Sequence, residues 1–189
     1  GTLYTVRPDT LFEVARSQAG GGGEQAIRME YGWVNLSTSR NPSGVATPGA
    51  QARVGGSSEA AVSYDQGSGR GSFSALSGAL SVTTPGGMRR EVSAMQRVVQ
   101  TGTTLSEPRP LPAAPVPAEP VDNLETSLER TREVRFSWQP VATATHYAFQ
   151  VSRSRLFVDN VIDVTKRTRT RATLGLRGEG SFLWRVAAL

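Results

Sequence analysis

The chain has 189 residues, carries a formal net charge of +5 from 21 basic and 16 acidic residues, and contains no cysteine. The lack of cysteine excludes disulfides, thiolate nucleophiles and cysteine-bound zinc, and no run reaches the roughly 18 apolar residues that a membrane-spanning helix needs. The basic excess is almost entirely arginine and would attract an anionic polymer, but it is far below the density typical of nucleic-acid-binding proteins. We therefore expect no nucleic-acid partner.

The first two predicted strands are short and alternate apolar with polar residues. They cover Thr2–Val6 and Leu11–Ala15, with a Pro-Asp turn between them. Four consecutive glycines at Gly20–Gly23 then predict a solvent-exposed hairpin loop, because such a run cannot specify one conformation. A phosphate-binding loop would need lysine and then serine or threonine after the glycines, and an acidic residue stands there instead.

The segment Tyr4–Arg16 (YTVRPDTLFEVAR) is similar to the opening of a LysM peptidoglycan-binding repeat. It departs from that repeat because it lacks a glycine between Pro8 and Asp9. The second LysM helix also has no counterpart in the residues that follow.

A third strand is predicted over Ala26–Leu36 (AIRMEYGWVNL). Strict alternation would place Met29, Tyr31 and Trp33 on one face of this strand. Gly32 interrupts the strand in the middle, which is a common mark of a bulge or a sharp bend. Exposed aromatics such as Tyr31 and Trp33 would form a platform for sugar stacking, although we expect Trp33 to belong to the core.

The stretch Val45–Gly87 contains two turns of the same chemistry, Thr47-Pro48-Gly49 and Thr84-Pro85-Gly86. A short alternating strand leads into each turn, and glycine-rich breaks separate the strands between them. We interpret the two turns as corners of one compact domain of antiparallel hairpins, and the glycines as bends rather than phosphate loops.

Five short motifs occur in a fixed order along residues 1–105. They are Gly32-Trp33-Val34-Asn35-Leu36, Val45-Ala46-Thr47-Pro48-Gly49-Ala50, Ser57-Ser58-Glu59-Ala60-Ala61-Val62, Gly78-Ala79-Leu80-Ser81-Val82 and Gln96-Arg97-Val98-Val99. Their order and spacing resemble a FecR-type domain, an all-β envelope domain named after a periplasmic regulator of iron-citrate transport. This chain has Gly55-Gly56-Ser57 where the family usually has Arg-Gly-Thr. The resemblance implies an all-β domain and, as an alternative function, a periplasmic signal-receiving role.

Residues 106–120 form the predicted boundary between two domains. Within them, Glu107–Pro120 (EPRPLPAAPVPAEP) alternates six prolines with mostly small residues. This pattern favours a semi-rigid polyproline II spacer that rises roughly 3.1 Å per residue. The predicted domains are therefore residues 1–105 and 121–189.

The second domain contains the pattern F-S-W-x-P-V-x-x-A-x-x-Y-x-x-Q-V-S-x-S-x-x-F. Its residues are Phe136, Ser137, Trp138, Pro140, Val141, Ala144, Tyr147, Gln150, Val151, Ser152, Ser154 and Phe157. The pattern resembles a fibronectin type III-like module, and Phe182–Val186 matches the sixth of that family's seven strands. The resemblance implies a β-sandwich with Trp138 and Trp184 in its core. We expect no seventh strand, which leaves an open edge that is ragged or completed by a neighbouring chain in an oligomer.

The sequence contains no motif for catalysis, metal binding or nucleotide binding. The single histidine, His146, opens a predicted strand and has no assignable serine or aspartate partner, so we expect it to face water. We expect no enzymatic activity, no cofactor and no metal site.

The basic run Lys166–Arg171 is the best candidate for a contact site. If it forms a strand, the period of two places Arg167, Arg169 and Arg171 on one face. Three guanidiniums in a row would bind phosphates or uronates bidentately. They would equally serve as a solvated edge that discourages strand-to-strand aggregation.

Together these features predict part of a bacterial periplasmic or cell-envelope protein, with its targeting segment outside this sequence. The predicted function is non-catalytic: a scaffold or binding module for other envelope proteins, or for an anionic polymer such as peptidoglycan. The alternatives are a signal-receiving domain of a FecR-type regulator and a glycan-binding module.

Overall fold

The computed structural model describes residues 1–16, 25–127, 133–155, 157 and 160–189. Every regular element within these residues is a β-strand, which confirms the predicted all-β fold class. The chain divides into two compact units, Gly1–Leu111 (unit 1) and Pro112–Leu189 (unit 2). In the described part of the chain, no helix is long and apolar enough to cross a membrane. The loop predicted at Gly20–Gly23 lies outside the described residues.

Unit 1 is built from twelve strands that pair in one strongly bent sheet. The strands are β1 (Thr2–Val6), β2 (Leu11–Arg16), β3 (Gln25–Thr38), β4 (Ser43–Thr47), β5 (Ala50–Val54), β6 (Glu59–Asp65), β7 (Arg70–Ser77), β8 (Ala79–Thr83), β9 (Arg89–Ser93), β10 (Gln96–Thr101), β11 (Thr104–Leu105) and β12 (Arg109–Pro110). The order is β11-β10-β7-β6-β3-β4-β5-β8-β9, while β1 and β2 also pair with β3 and β12 pairs with β10.

The long strand β3 belongs to both halves of this sheet. Its first half pairs with β2 and, in parallel, with β4, whereas its second half pairs with β1 and β6. Gly32 lies between the halves with φ 110°. Met29 and Val34 are both 0% exposed, although residues five apart on a regular strand face opposite sides. The bend predicted at Gly32 is therefore confirmed, and it reverses which positions of β3 face the core.

Only glycine fits at position 32. A Cβ atom there would lie 2.6 Å from the Cα of Thr10. Thr10 is held close because its hydroxyl accepts a hydrogen bond from Trp33 N at 3.1 Å and donates one to the Trp33 carbonyl at 3.3 Å. These two hydrogen bonds hold the bulge against the turn between β1 and β2.

The two Thr-Pro-Gly turns lie side by side, because β5 and β8 are hydrogen-bonded neighbours with Gln51 opposite Thr83. Pro48 and Pro85 line the same cleft of about 440 Å³. The prediction that the turns are corners of one β domain is confirmed. The apolar core lies on the inner positions of the bent sheet and includes Ile27, Met29, Val34, Leu36, Val45, Val54, Val62, Phe73, Leu80, Val82, Val92 and Val98.

A buried glutamine packs beside the first of these turns. Gln100, at 1% exposure, donates a hydrogen bond from Nε2 to the Gly102 carbonyl at 2.5 Å. A Cβ atom at Gly49 would lie 2.5 Å from Gln100 Cδ, and one at Gly71 would lie 2.7 Å from Gln100 Oε1. The glycine of the turn is therefore required by close packing, at a position where its own φ is ordinary.

The Pro-rich segment contributes edge strands to each unit. Arg109–Pro110 pairs with β10, and Pro117–Glu119 pairs with the first long strand of unit 2. Proline is tolerated at a sheet edge because its missing N–H need not join a ladder. The division at Leu111 falls inside the predicted boundary of residues 106–120, and a spacer role for the segment stays a prediction.

Unit 2 consists of two three-stranded sheets. Its strands are β13 (Pro117–Glu119), β14 (Val134–Trp138), β15 (Tyr147–Ser152), β16 (Asn160–Arg167), β17 (Arg171–Leu174) and β18 (Leu183–Ala188). The sheet orders are β13-β14-β17 and β16-β15-β18. The core is aromatic: Trp138 stacks on Phe149 with ring centroids 5.4 Å apart, and Trp184 packs against that core. The core position predicted for Trp138 is confirmed, and Trp184 is partly buried at the border of that core.

One edge of unit 2 is open. Within the residues that the structure describes, β18 pairs with β15 alone and no seventh strand is present. What completes this edge stays a prediction.

Replacing Gly32 with alanine should be far more damaging than the same change at another glycine of positive φ. Gly32→Ala adds a steric clash to the backbone strain, and we expect it to lower the free energy of unfolding by roughly 3 kcal/mol. The matched control is Gly69→Ala, since Gly69 has φ 62° but open space around its Cβ position; it should cost about 1 kcal/mol. Urea denaturation of both variants measures this, and equal costs would contradict the packing at Thr10.

Gly49 and Gln100 should be energetically coupled. Gly49→Ala should cost roughly 1–3 kcal/mol, because the new methyl overpacks against the amide. In Gly49→Ala/Gln100→Ala the methyl has room, so the double variant should be more stable than the sum of the single costs by about 1 kcal/mol. A double-mutant cycle by denaturation tests this, and simple additivity would speak against the contact.

Candidate functional site

The basic run does not form one strand. β16 ends at Arg167, Arg169 lies in the connection, and Arg171 begins β17, which belongs to the other sheet of unit 2. The expectation that Arg167, Arg169 and Arg171 line one strand face is therefore wrong. Arg167 is half-buried, and its guanidinium donates to the Arg171 carbonyl, with Nε at 2.8 Å and Nη2 also in contact. Arg169 and Arg171 are exposed.

Two other arginines of unit 2 are also used within the unit. Arg153 donates to the carbonyls of Arg177 and Glu179. Arg185 donates to Gln150 Oε1 at 2.6 Å, and Gln150 Nε2 donates in turn to Asp163 at 2.7 Å. Part of the basic charge of unit 2 thus holds its loops and strands together, which leaves less of it for a ligand.

His146 has a local partner. Its Nδ1 lies 2.8 Å from the hydroxyl of Thr145. Among the described residues, no cluster of three or more histidine, cysteine, aspartate or glutamate side chains has the arrangement to hold a metal ion.

Tyr31 and Trp33 do not form a shared platform. The bulge at Gly32 separates the two side chains. Tyr31 lines the large cleft of unit 1, whereas Trp33 does not. Trp33 is half-buried outside the core, and the Arg7 guanidinium lies 4.1 Å from the centre of its ring. The core position expected for Trp33 is wrong as well.

The large cleft of unit 1 is an open trough of about 630 Å³. It is formed where the turn before β2 and the middle of β3 approach β6, β7 and β10. Its lining residues, which define the trough, are Asp9, Tyr31, Gly32, Ser63, Tyr64, Asp65, Gln66, Gly67, Ser68, Arg70, Gly71, Ser72, Arg97 and Val99. Serine, tyrosine and arginine supply most of its polar groups.

The β6–β7 hairpin closes one end of the trough. Its turn is fixed by Asp65, whose Oδ1 accepts hydrogen bonds from Ser68 N at 2.7 Å and from Ser68 Oγ at 2.5 Å. Gly69 supplies the positive φ that the turn needs. Asp65 therefore shapes the trough, and its carboxylate is already engaged.

The strand register places small side chains on the floor. Ser63 lies opposite Ser72 on β6 and β7, and Ser72 lies opposite Val99 on β10. These residues alternate with core residues such as Phe73 and Val98, so they point away from the core. The result is a shallow surface bordered by longer side chains.

Arginines stand at both ends of the β7–β10 side. Arg70 and Arg97 occupy the same face as Ser72 and Val99, because they lie two residues away from them along their strands. Arg97 also lies directly opposite Arg109 of β12. Within the described residues, none of these three guanidiniums makes a hydrogen bond or ion pair with another side chain.

Sequence reasoning missed Tyr64, Arg70, Arg97 and Arg109 as members of one surface. Tyr64 and Arg70 lie close together in sequence, on the two strands of one hairpin. Arg97 and Arg109 join them only through the strand register. The sequences of β7 (RGSFSALS) and β10 (QRVVQT) alternate only in part, so they gave only a weak signal that Arg70 and Arg97 point outward.

No protein-family model matches the chain, and no curated protein matches it in sequence. Among solved structures, it is similar to two crystal structures of a putative anti-sigma factor from Parabacteroides distasonis ATCC 8503. The first has 16% sequence identity and a TM-score of 0.44, covering 58% of this chain and 56% of that chain. The second has 16% identity and a TM-score of 0.43, covering 58% and 55%. The chain thus spans little more than half the length of these proteins.

Two arginines of the basic run, Arg167 and Arg169, should differ in their effect on folding stability. Arg167→Gln should lower the free energy of unfolding by roughly 1 kcal/mol, because it removes hydrogen bonds that hold the connection between β16 and β17. Arg169→Gln, the matched control, should change it by less than about 0.5 kcal/mol. Thermal denaturation of the two variants measures this difference. Equal losses of stability would mean that the hydrogen bonds of Arg167 do not stabilise the fold.

Proposed function

We propose that this chain is a non-catalytic binding module of a bacterial cell-envelope protein, and that the trough of unit 1 is its ligand-contacting surface. The observation that carries the proposal is the combination of a broad floor of small side chains with arginines at its border that make no side-chain hydrogen bond or ion pair within the part of the chain that the structure describes. Such a surface offers hydrogen-bond donors and acceptors to a ligand without any internal contact having to break.

The chemistry of the trough supports binding rather than catalysis. Its lining holds serine, tyrosine and arginine but no histidine, cysteine or lysine. A serine nucleophile needs a neighbouring base to accept its proton. Asp65, one of the two lining carboxylates, is committed to the turn at Ser68. The lining therefore suits recognition of a polar ligand.

The finer family assignments also belong to this proposal. We assign unit 1 to the FecR-like domains on the order of its sequence motifs. We assign unit 2 to the fibronectin type III-like sandwiches because its first, second and fifth strands form one sheet and its third, fourth and sixth form the other, as in immunoglobulin-like sandwiches. The periplasmic or envelope location and the envelope partners follow from these resemblances, and the signal-receiving alternative stays a prediction from the sequence.

Filling the trough should weaken ligand binding strongly. Ser72→Trp places a large side chain on its floor, at an outward strand position where tryptophan is well tolerated. We expect co-sedimentation with purified peptidoglycan sacculi to fall at least about tenfold, which corresponds to roughly 1.4 kcal/mol.

The control is Ser81→Trp, because Ser81 is also half-buried on a strand but lies outside the trough. It should bind sacculi like the unchanged protein. Equal binding by both variants would place the contact elsewhere, and a folded wild-type protein that fails to sediment would contradict a peptidoglycan-directed function.

A further inference from the structure

We propose that Arg70, Arg97 and Arg109 form an anion-binding border of the trough, and that its ligand is an acidic glycan whose sugar residues carry carboxylate groups. This inference rests on the proposed function, since it names the ligand class for the same surface. The proposed anion-binding site therefore lies in unit 1, and not at the basic run Lys166–Arg171 of unit 2 where the sequence predicted it.

The pairing of β10 with β12 creates an electrostatic conflict. Arg97 and Arg109 are direct cross-strand partners, and directly opposed side chains share one face of the sheet. Two like charges in this arrangement destabilise the strand pair. Arg97 is also half-buried, so water screens its charge less well than it screens an exposed one. An anion bound between the two guanidiniums removes this conflict.

The position of Arg70 indicates a ligand with more than one acidic group. On the β7–β10 pair, Arg70 lies opposite Thr101 while Arg97 lies opposite Ser74. Four residues therefore separate the two arginines along the strands, which is roughly 13 Å at the rise of an antiparallel strand. One carboxylate cannot reach both sites, whereas a chain of acidic units can occupy both at once.

The surface between the arginines favours a sugar over a peptide. Ser63 and Ser72 present hydroxyl groups on the floor, and the Tyr31 ring, 37% exposed, stands at the opposite wall. Hydroxyls and an exposed aromatic ring match the alternating polar and apolar surfaces of a sugar ring. A peptide that binds by strand addition needs a free edge, and both neighbouring edges of β6 and β7 are already paired.

Asp9 adds to this selectivity. Asp9 lies in the turn before β2, on the wall of the trough opposite β7 and β10. Its carboxylate accepts hydrogen bonds from hydroxyl groups and repels a second acidic group. Asp65 lies directly opposite Arg70, so the strongest attraction for an anion is at Arg97 and Arg109. A glycan is thereby oriented with its carboxylates toward these arginines and its hydroxyl groups toward Asp9.

The test measures binding of matched glycans to the full chain by isothermal titration calorimetry. The probes are oligogalacturonate, its methyl ester, a soluble disaccharide muropeptide, and an acidic peptide of glutamate residues. Oligogalacturonate and its ester differ only in carboxylate charge, and the muropeptide distinguishes a cell-wall source from a uronate source of the same chemistry. We expect the acidic glycans to bind at least about tenfold more tightly than the ester, and this preference to weaken as salt is raised.

Arg109→Glu is the decisive variant. It converts the Arg97–Arg109 pair into a cross-strand pair of opposite charge, so the melting temperature of the free protein should rise by roughly 2–4 °C while the affinity for acidic glycans falls at least about tenfold. Arg97→Gln should weaken binding with a smaller rise, because it removes the repulsion without adding an attraction, and Arg70→Gln should weaken binding without a rise. The control is Arg40→Glu, the same charge change at an exposed arginine of unit 1 outside the trough, which should leave affinity unchanged apart from a small long-range effect.

Each other result overturns the inference in a distinguishable way. Equal binding of the galacturonate and its ester, unaffected by Arg109→Glu but lost in Ser72→Trp, would refute the anionic ligand and leave the proposed function standing. Binding of the acidic peptide alone would refute the glycan class. Failure of the folded protein to bind any probe, together with failure to bind sacculi, would refute both proposals.

Discussion

The left-handed conformation at Gly32 is the constraint on which unit 1 depends. A regular 14-residue strand would present one set of alternate residues to a single face, and it could not supply core residues to two halves of a bent sheet. The bulge changes the phase, so Ile27 and Met29 before it and Val34 and Leu36 after it all reach the core. Thr10 fixes the bulge through both backbone polar groups of Trp33. The turn before β2 is thereby held against β3, which is also what places Asp9 and Tyr31 at the wall of the trough.

A second constraint acts from the opposite end of the sheet. Gln100 is buried at the end of β10 between Gly49 and Gly71, each of which leaves no room for a methyl group. Burying an amide is costly unless it is hydrogen-bonded. Gln100 Nε2 meets this requirement by donating to the Gly102 carbonyl, whereas Gln100 Oε1 is buried without a hydrogen-bond partner among the described residues. The close packing of the Gln100 side chain against Gly71 and Gly49 brings β10 against β7 and against the first Thr-Pro-Gly turn. The register that brings Arg97 beside Val99 and Ser72 therefore depends on a buried polar contact as well as on the apolar core.

Local chemistry predicted a large part of this fold. The two Thr-Pro-Gly turns, the break at Gly32 and the aromatic core around Trp138 each depend on residues close in sequence. The errors arose where non-local pairing overrides a local pattern. Arg167 to Arg171 alternates like a strand, yet the chain crosses between sheets there, and Arg167 satisfies a carbonyl of the crossing. The trough could not be predicted, because Arg70, Arg97 and Arg109 meet only through the register of β7, β10 and β12.

The arginines illustrate why net charge is a poor guide to a binding surface. In unit 2, Arg153, Arg167 and Arg185 each donate to oxygen atoms of their own unit. Such a guanidinium is already satisfied, and an anion would have to replace an existing hydrogen bond in order to bind it. In unit 1, Arg97 and Arg109 face each other across a strand pair without a carboxylate between them. The anion that we propose for this surface would relieve their mutual repulsion. The proposed binding surface therefore lies in unit 1, at a position that composition does not reveal.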